Sequence, residues 1–163
     1  MTTMRLRTRA AVTIRRPRAE VYDFAVANQT LARTLQKYGP IPGIERAEMT
    51  SSGGLTAGAE RRVSMSDGSV IEEEILEADR PRVHRYRWVR GLRPPFSLIV
   101  RTGEACWTFS DAEGGGTDVE WLYIFQLRSL FAVPAAAPVL LLFRRWMQRG
   151  LDRIRADLSP RAV

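Results

Sequence analysis

The C-terminal stretch of this chain leaves it few ways to fold. Leu140, Phe143, Met147, Leu151, Ile154 and Leu158 recur at spacings of 3, 4, 4, 3 and 4, the period of one helical face. At 100° per residue they fall inside an arc of about 80°. Arg145, Arg149 and Arg153 fall opposite. The spacing predicts one amphipathic helix over residues 135–158. What precedes it reads as strands, apart from a short helical pair near the start. A helix with a wide apolar face that follows a run of strands has to lie on their sheet. If the sheet curls around it, the space between them can hold a ligand.

The strand signals are local and frequent. Residues 10–16 alternate, with Ala10, Val12 and Ile14 on one side, and Pro17 ends the run. Residues 18–28 carry a helical pattern through Val21, Phe24 and Ala25. Thr30 is placed to cap a second short helix reaching Lys37. Strands are then expected over 44–50, 60–66, 70–78, 83–90, 97–109 and 117–127. Asp67-Gly68 marks a hairpin between the second and third of these. Short turns between consecutive strands favour an antiparallel meander. The first strand, set apart by the helical pair, is expected to pair back with the last. The fold class is therefore α+β, a curved antiparallel sheet of about seven strands around a long C-terminal helix. One domain over 1–163 is expected, with its core at about 8–158.

Composition removes several function classes. Cys106 is the only cysteine, so there is no disulfide framework or thiolate metal cluster, and a reducing cytoplasm fits the chain. The uncharged run 130–143 contains Pro134 and Pro138 and falls short of the roughly twenty residues of a membrane span, so no stable membrane insertion is expected. The net charge of +7 comes from 24 arginines and one lysine scattered among carboxylates such as Glu72, Glu74 and Asp79. Without a helix-turn-helix, RNP or zinc-finger pattern, that charge reads as solvated surface and not as a nucleic-acid site.

Three stretches carry a resemblance to a known family. RRPRAEVYDFAVAN (15–28) puts a proline and a Val-Tyr-x-Phe helix after the first strand. VIEEEILEADRPRVHRYRW (70–88) supplies a glutamate-bearing strand, an Asp-x-Pro turn and an aromatic strand. EGGGTDVEWLYIF (113–125) supplies the last hairpin. Together they resemble the START-like (SRPBCC) superfamily with its helix-grip, Bet v 1-like fold, in the bacterial branch described as polyketide cyclase/dehydrase and lipid transport. The resemblance implies a scaffold that encloses lipids, sterols, hormones or polyketides, or that cyclises them. It names the scaffold and leaves the activity to the site.

Aromatic side chains are the main candidates for that site. Tyr86 and Trp88 share one strand face, Trp107 and Phe109 another, and Trp121 and Tyr123 a third. Facing Phe143 and Met147, with Met65 as an adaptable wall, they would either line an aromatic concavity with hydroxyl handles or simply fill the core. Glu73 lies with Ile71 and Ile75 on the apolar side of its strand. It would serve as acid, base or partner of a ligand hydroxyl, or be a structural carboxylate paired with an arginine such as Arg101. His84, the only histidine, stands at a strand start near the expected rim, as a proton-transfer candidate or a rim residue. A single histidine excludes a multi-histidine zinc site, and no nucleophile elbow or phosphate loop is present. Cys106 reads as an inert buried thiol.

The leading reading is a binding protein for a hydrophobic or aromatic small molecule, lipid- or polyketide-like, with no cofactor. The second is a cyclase or aromatase in which Glu73 or His84 moves protons. The third is a partner-binding module with a filled core. Val139–Phe143 is apolar all round, and Val139, Leu142 and Trp146 lie off the main stripe, so either residues 130–138 fold over them or a partner does, as a homodimer contact or a membrane-touching lip.

Overall fold

The computed structural model describes residues 4–159, and the outermost residues of the expected 1–163 domain lie outside the described ones. Its elements are β1 (Arg5–Ile14), α1 (Arg18–Val26), α2 (Asn28–Thr34), β2 (Ile44–Met49), β3 (Glu60–Met65), β4 (Val70–Asp79), β5 (Val83–Arg90), α3 (Phe96–Ile99), β6 (Val100–Asp111), β7 (Thr117–Leu127) and α4 (Val133–Leu158). The strands form one seven-stranded sheet in the order β1-β7-β6-β5-β4-β3-β2. Every pairing is antiparallel, including the expected return of β1 onto β7.

Several boundaries differ from those the sequence predicts, each for a local reason. The second helix starts at Asn28 after Ala27, so Thr30 lies inside it, buried, and does not cap it. The Thr30 carbonyl instead accepts a hydrogen bond from the Thr34 hydroxyl. The start of the expected strand 97–109 is taken by α3, because Pro94-Pro95 feeds a helical turn before β6 begins. The long helix begins at Val133, with Pro134 in its first turn, where a missing N–H costs no hydrogen bond.

The sheet curls around α4, and its inner face holds the core. Met147, Leu151 and Ile154 are buried against it, as the stripe predicts. The buried face is wider than that stripe. Trp146 and Gly150 also point inward, giving an arc of about 140°. Gly150 admits the close approach of Leu35, whose Cδ2 lies 2.3 Å from where a Cβ would stand. Trp146, expected to need cover from outside, is packed beside Trp121 with ring centroids 5.8 Å apart.

The α4 helix is long, and an 18-residue window of Leu130–Leu158 is apolar enough by length and composition to cross a membrane, with a mean hydropathy of 1.4. Its C-terminal half is core, however, so only the N-terminal half is free to touch anything else.

Candidate functional site

The inner face of β6 sets where space is left. From one end to the other it presents Phe109, Trp107, Ala105 and Gly103, all facing α4. Trp107 stacks with Phe109 and Trp121, and Phe109 meets Tyr22 edge-on, so these rings fill the closed end. Beyond Ala105 the side chains shrink. The Trp88 indole lies over Gly103, where a Cβ would come within 2.8 Å of its ring.

At this end the sheet and helix enclose a cavity of about 230 Å³. Its walls are mostly apolar, including Leu35, Met65, Trp88, Trp121, Phe143 and Trp146. The exposed residues of the lining, Pro40, Asp67, Arg93, Pro94 and Pro95, mark its mouth.

One corner of the cavity is polar. Strand register sets Arg61 of β3 opposite Glu73 of β4, and Glu73 opposite Trp88 of β5. Arg61 donates from Nε at 2.8 Å and from Nη2 at 2.6 Å, both to Glu73 Oε2. Glu73 Oε1 is left free to accept. The Arg61 guanidinium also lies over the Tyr86 ring, 4.9 Å from its centroid. Burial opposes the Arg61 charge, and the Glu73 carboxylate with the Tyr86 and Tyr123 hydroxyls outweighs that, so its pKa is raised. The Tyr86 and Tyr123 hydroxyls share a hydrogen bond of 3.0 Å. Burial first, and then Glu73 for Tyr86, holds both phenols well above their ordinary range, so they stay protonated. A pair of hydroxyls consumes one proton between them and leaves the other O–H to donate elsewhere.

The candidates divide cleanly. Met65, Glu73, Tyr86, Trp88, Trp121, Tyr123 and Phe143 border the cavity. Trp107, Phe109 and Met147 do not, because the closed end is packed solid around them. Arg101 is exposed and takes no part in holding Glu73. The partner is Arg61, which the sequence analysis passed over. Its signal was available, since Arg61 alternates with Val63 and Met65 and so shares their inward face.

His84 is not at the rim. It pairs with Trp107 across β5 and β6, is only 2% exposed, and is absent from the cavity lining. Burial, and then the nearby Arg61 charge, push its pKa down to about 3. Cys106 sits on the outer face of β6, half-buried, with burial raising its pKa.

A long helix gripped by a seven-stranded antiparallel sheet, with an apolar cavity between them, matches a known profile over residues 5–159: polyketide cyclase / dehydrase and lipid transport. The chain belongs to that family. Its fold recurs in solved structures at low identity. Ara h 8.0201 is 17% identical with a TM-score of 0.73, over 95% of this chain and 98% of that one. The di-domain ARO/CYC BexL from the BE-7585A biosynthetic pathway is 14% identical with a TM-score of 0.72, over 97% of this chain and 51% of that one. Norcoclaurine synthase from Thalictrum flavum, in complex with a transition-state analogue, is 13% identical with a TM-score of 0.71, over 97% and 96%. At these identities the likeness shows the fold. No curated protein matches the chain. Family and cavity together point to the binding of a hydrophobic ligand.

Proposed function

We propose that this protein binds a hydroxyl-bearing hydrophobic or aromatic small molecule in the cavity between sheet and α4, and that it acts as a binding protein and not a catalyst. The observation that carries this reading is an apolar cavity with a single polar corner. Glu73 Oε1 is free to accept there, and the Tyr86–Tyr123 pair has one O–H left to donate. A ligand hydroxyl can donate to the first and accept from the second. The volume of about 230 Å³ exceeds the roughly 150 Å³ void that holds benzene, and suits a ligand of about ten heavy atoms.

The cyclase alternative needs a group that accepts protons at neutral pH. Glu73 is held by two charge-assisted hydrogen bonds from Arg61. His84 stands away from the cavity, and with its pKa near 3 it takes up no proton there. Glu73 is thus fixed as an ion-paired hydrogen-bond acceptor, and His84 has no access to a bound ligand.

The test uses the tryptophans that border the cavity as fluorescent reporters. Titration with 2-naphthol and with naphthalene should show the naphthol binding more tightly. Tyr123→Phe should remove about fivefold to tenfold of that preference, the worth of one hydrogen bond, and leave naphthalene unchanged. Equal affinities for the two probes would refute the hydroxyl-selective site. Binding of neither would favour the partner-binding module, and turnover of a polyketide-like substrate lost in Glu73→Gln would make the protein an enzyme.

A further inference from the structure

The arginines of this chain fall into two populations. Along the outer sheet and the closed end they are matched with carboxylates: Arg9 with Glu120, Arg18 with Asp111, Arg80 with Asp23, Arg85 with Glu104, Arg87 with Glu74. At the cavity end Arg61 and Arg90 are held by Glu73 and Glu72, but a cluster of others has no carboxylate partner. Arg5, Arg93, Arg101, Arg128, Arg144 and Arg145 are all exposed, and none is in an ion pair among the described residues. Residues 121–151, which carry Arg128, Arg144 and Arg145, contain no Asp or Glu.

Among the described residues the three most exposed large apolar side chains, Phe131, Leu98 and Leu130, lie among those arginines, with Leu141 on α4. Phe131 is 94% exposed, Leu98 68%, Leu130 61% and Leu141 50%. They belong to one surface, because Arg128 ties α3 to the segment that leads into α4. Its amide donates to the Ile99 carbonyl at 3.0 Å, and its Nε to the Ser97 carbonyl at 2.5 Å. That surface adjoins the mouth, whose lining includes Arg93, Pro94, Pro95, Phe96 and Val139. Asp67 is the one exposed carboxylate at the mouth, and its pKa is held low first by hydrogen bonds from Ser69 and least by the charge of Arg93, with which it forms no ion pair.

We propose that this tip docks on an anionic lipid surface, with Phe131, Leu130 and Leu98 entering the acyl boundary and the surrounding arginines lying at the phosphate level. Apolar tip and cationic collar are the two components of interfacial binding, and each alone is weak. Charge selects this occupant over a second copy of the chain. A symmetric dimer through the tip would set each collar against its twin, whereas an anionic membrane neutralises it. A spanning helix does not fit, because the C-terminal half of α4 is fixed in the core. Docking places the cavity mouth against the bilayer, and it stands whether or not the polar corner selects hydroxylated ligands.

Co-sedimentation with vesicles tests it without any cavity ligand. The wild-type protein should pellet with mixed phosphatidylcholine and phosphatidylglycerol vesicles at low ionic strength, weakly with phosphatidylcholine alone, and progressively less as salt is raised. Phe131→Asp, at a fully exposed position, and Arg144→Glu/Arg145→Glu should each lower partitioning by about tenfold, with circular dichroism unchanged. Arg15→Glu, the same charge reversal at an exposed arginine remote from the tip, should reduce it far less. Failure of the wild type to bind anionic vesicles, equal binding to neutral ones, or an equal effect of Arg15→Glu overturns the proposal. So does a solution dimer that Phe131→Asp dissociates, which would make the second copy the occupant.

Discussion

The two ends of the space between sheet and helix are built from the same strands and differ in one respect. At the closed end β6 contributes Phe109 and Trp107, which pack on their neighbours and leave no room. At the mouth the same strand contributes Ala105 and Gly103, and about 230 Å³ stays open. Curvature of the sheet makes a cavity available. The size of alternate side chains along one central strand decides how much of it survives, because protein interiors otherwise pack to crystal-like density.

Truncation should separate the ends most strongly. Phe109→Ala removes a ring from a filled region and should destabilise the protein by about 3–5 kcal/mol in urea denaturation. Phe96→Ala removes the same ring at the half-buried mouth, beside existing space, and should cost about 1 kcal/mol. Equal losses would erase the contrast.

Acid should act on the closed end next. His84 has a folded pKa of about 3 against 6.5 unfolded, so between those values the unfolded chain binds a proton that the native state refuses. Its contribution is therefore full above pH 6.5 and is lost as pH falls toward 3, at about 1.4 kcal/mol per pH unit. From pH 6.5 to 5.0 the protein should lose about 2 kcal/mol. His84→Leu should flatten that part of the stability–pH curve, and an unchanged slope would show that other groups set it.

The mildest intervention sharpens the contrast from the mouth. Gly103→Ala brings a methyl group to 2.8 Å from the Trp88 ring, which can yield only toward the cavity. A cost of about 1 kcal/mol in stability should accompany a large loss of naphthol affinity. Full retention of both would mean that Gly103 does not shape the cavity.

Most of the scaffold was legible in the sequence because its signals are periodic. The stripe from Leu140 to Leu158 oriented α4, and alternation put Tyr86, Trp88, Trp121 and Tyr123 on the inner face. The Asp67-Gly68 turn set one hairpin. Position along a strand was harder to read. Alternation says which face Trp107 and Trp88 occupy but not which end is filled, so Trp107, Phe109 and Met147 were expected in a lining they do not form. Glu73 was singled out by its apolar neighbours, while its partner was assigned to Arg101. Charge alone cannot choose among so many arginines, and only the β3–β4 register brings Arg61 to it. His84 opens its strand, which suggests a rim position, yet it pairs with Trp107 inside β6, which continues past it, and is buried.

The closure of β1 onto β7 has a consequence for how the chain is made. Arg5–Ile14 leaves the ribosome before the other strands, and its partner Thr117–Leu127 follows more than a hundred residues later. At roughly 5–20 residues per second, β1 waits several seconds with neither edge paired, since β7 is its only neighbour. The concave aromatic face is completed only with β7, and α4, which must cover it, is the last of these elements to be synthesised. Until then the nascent sheet presents Trp88, Trp107, Trp121 and Tyr123 to water. The helix that defines the binding space therefore also ends the period in which that aromatic face lacks its cover.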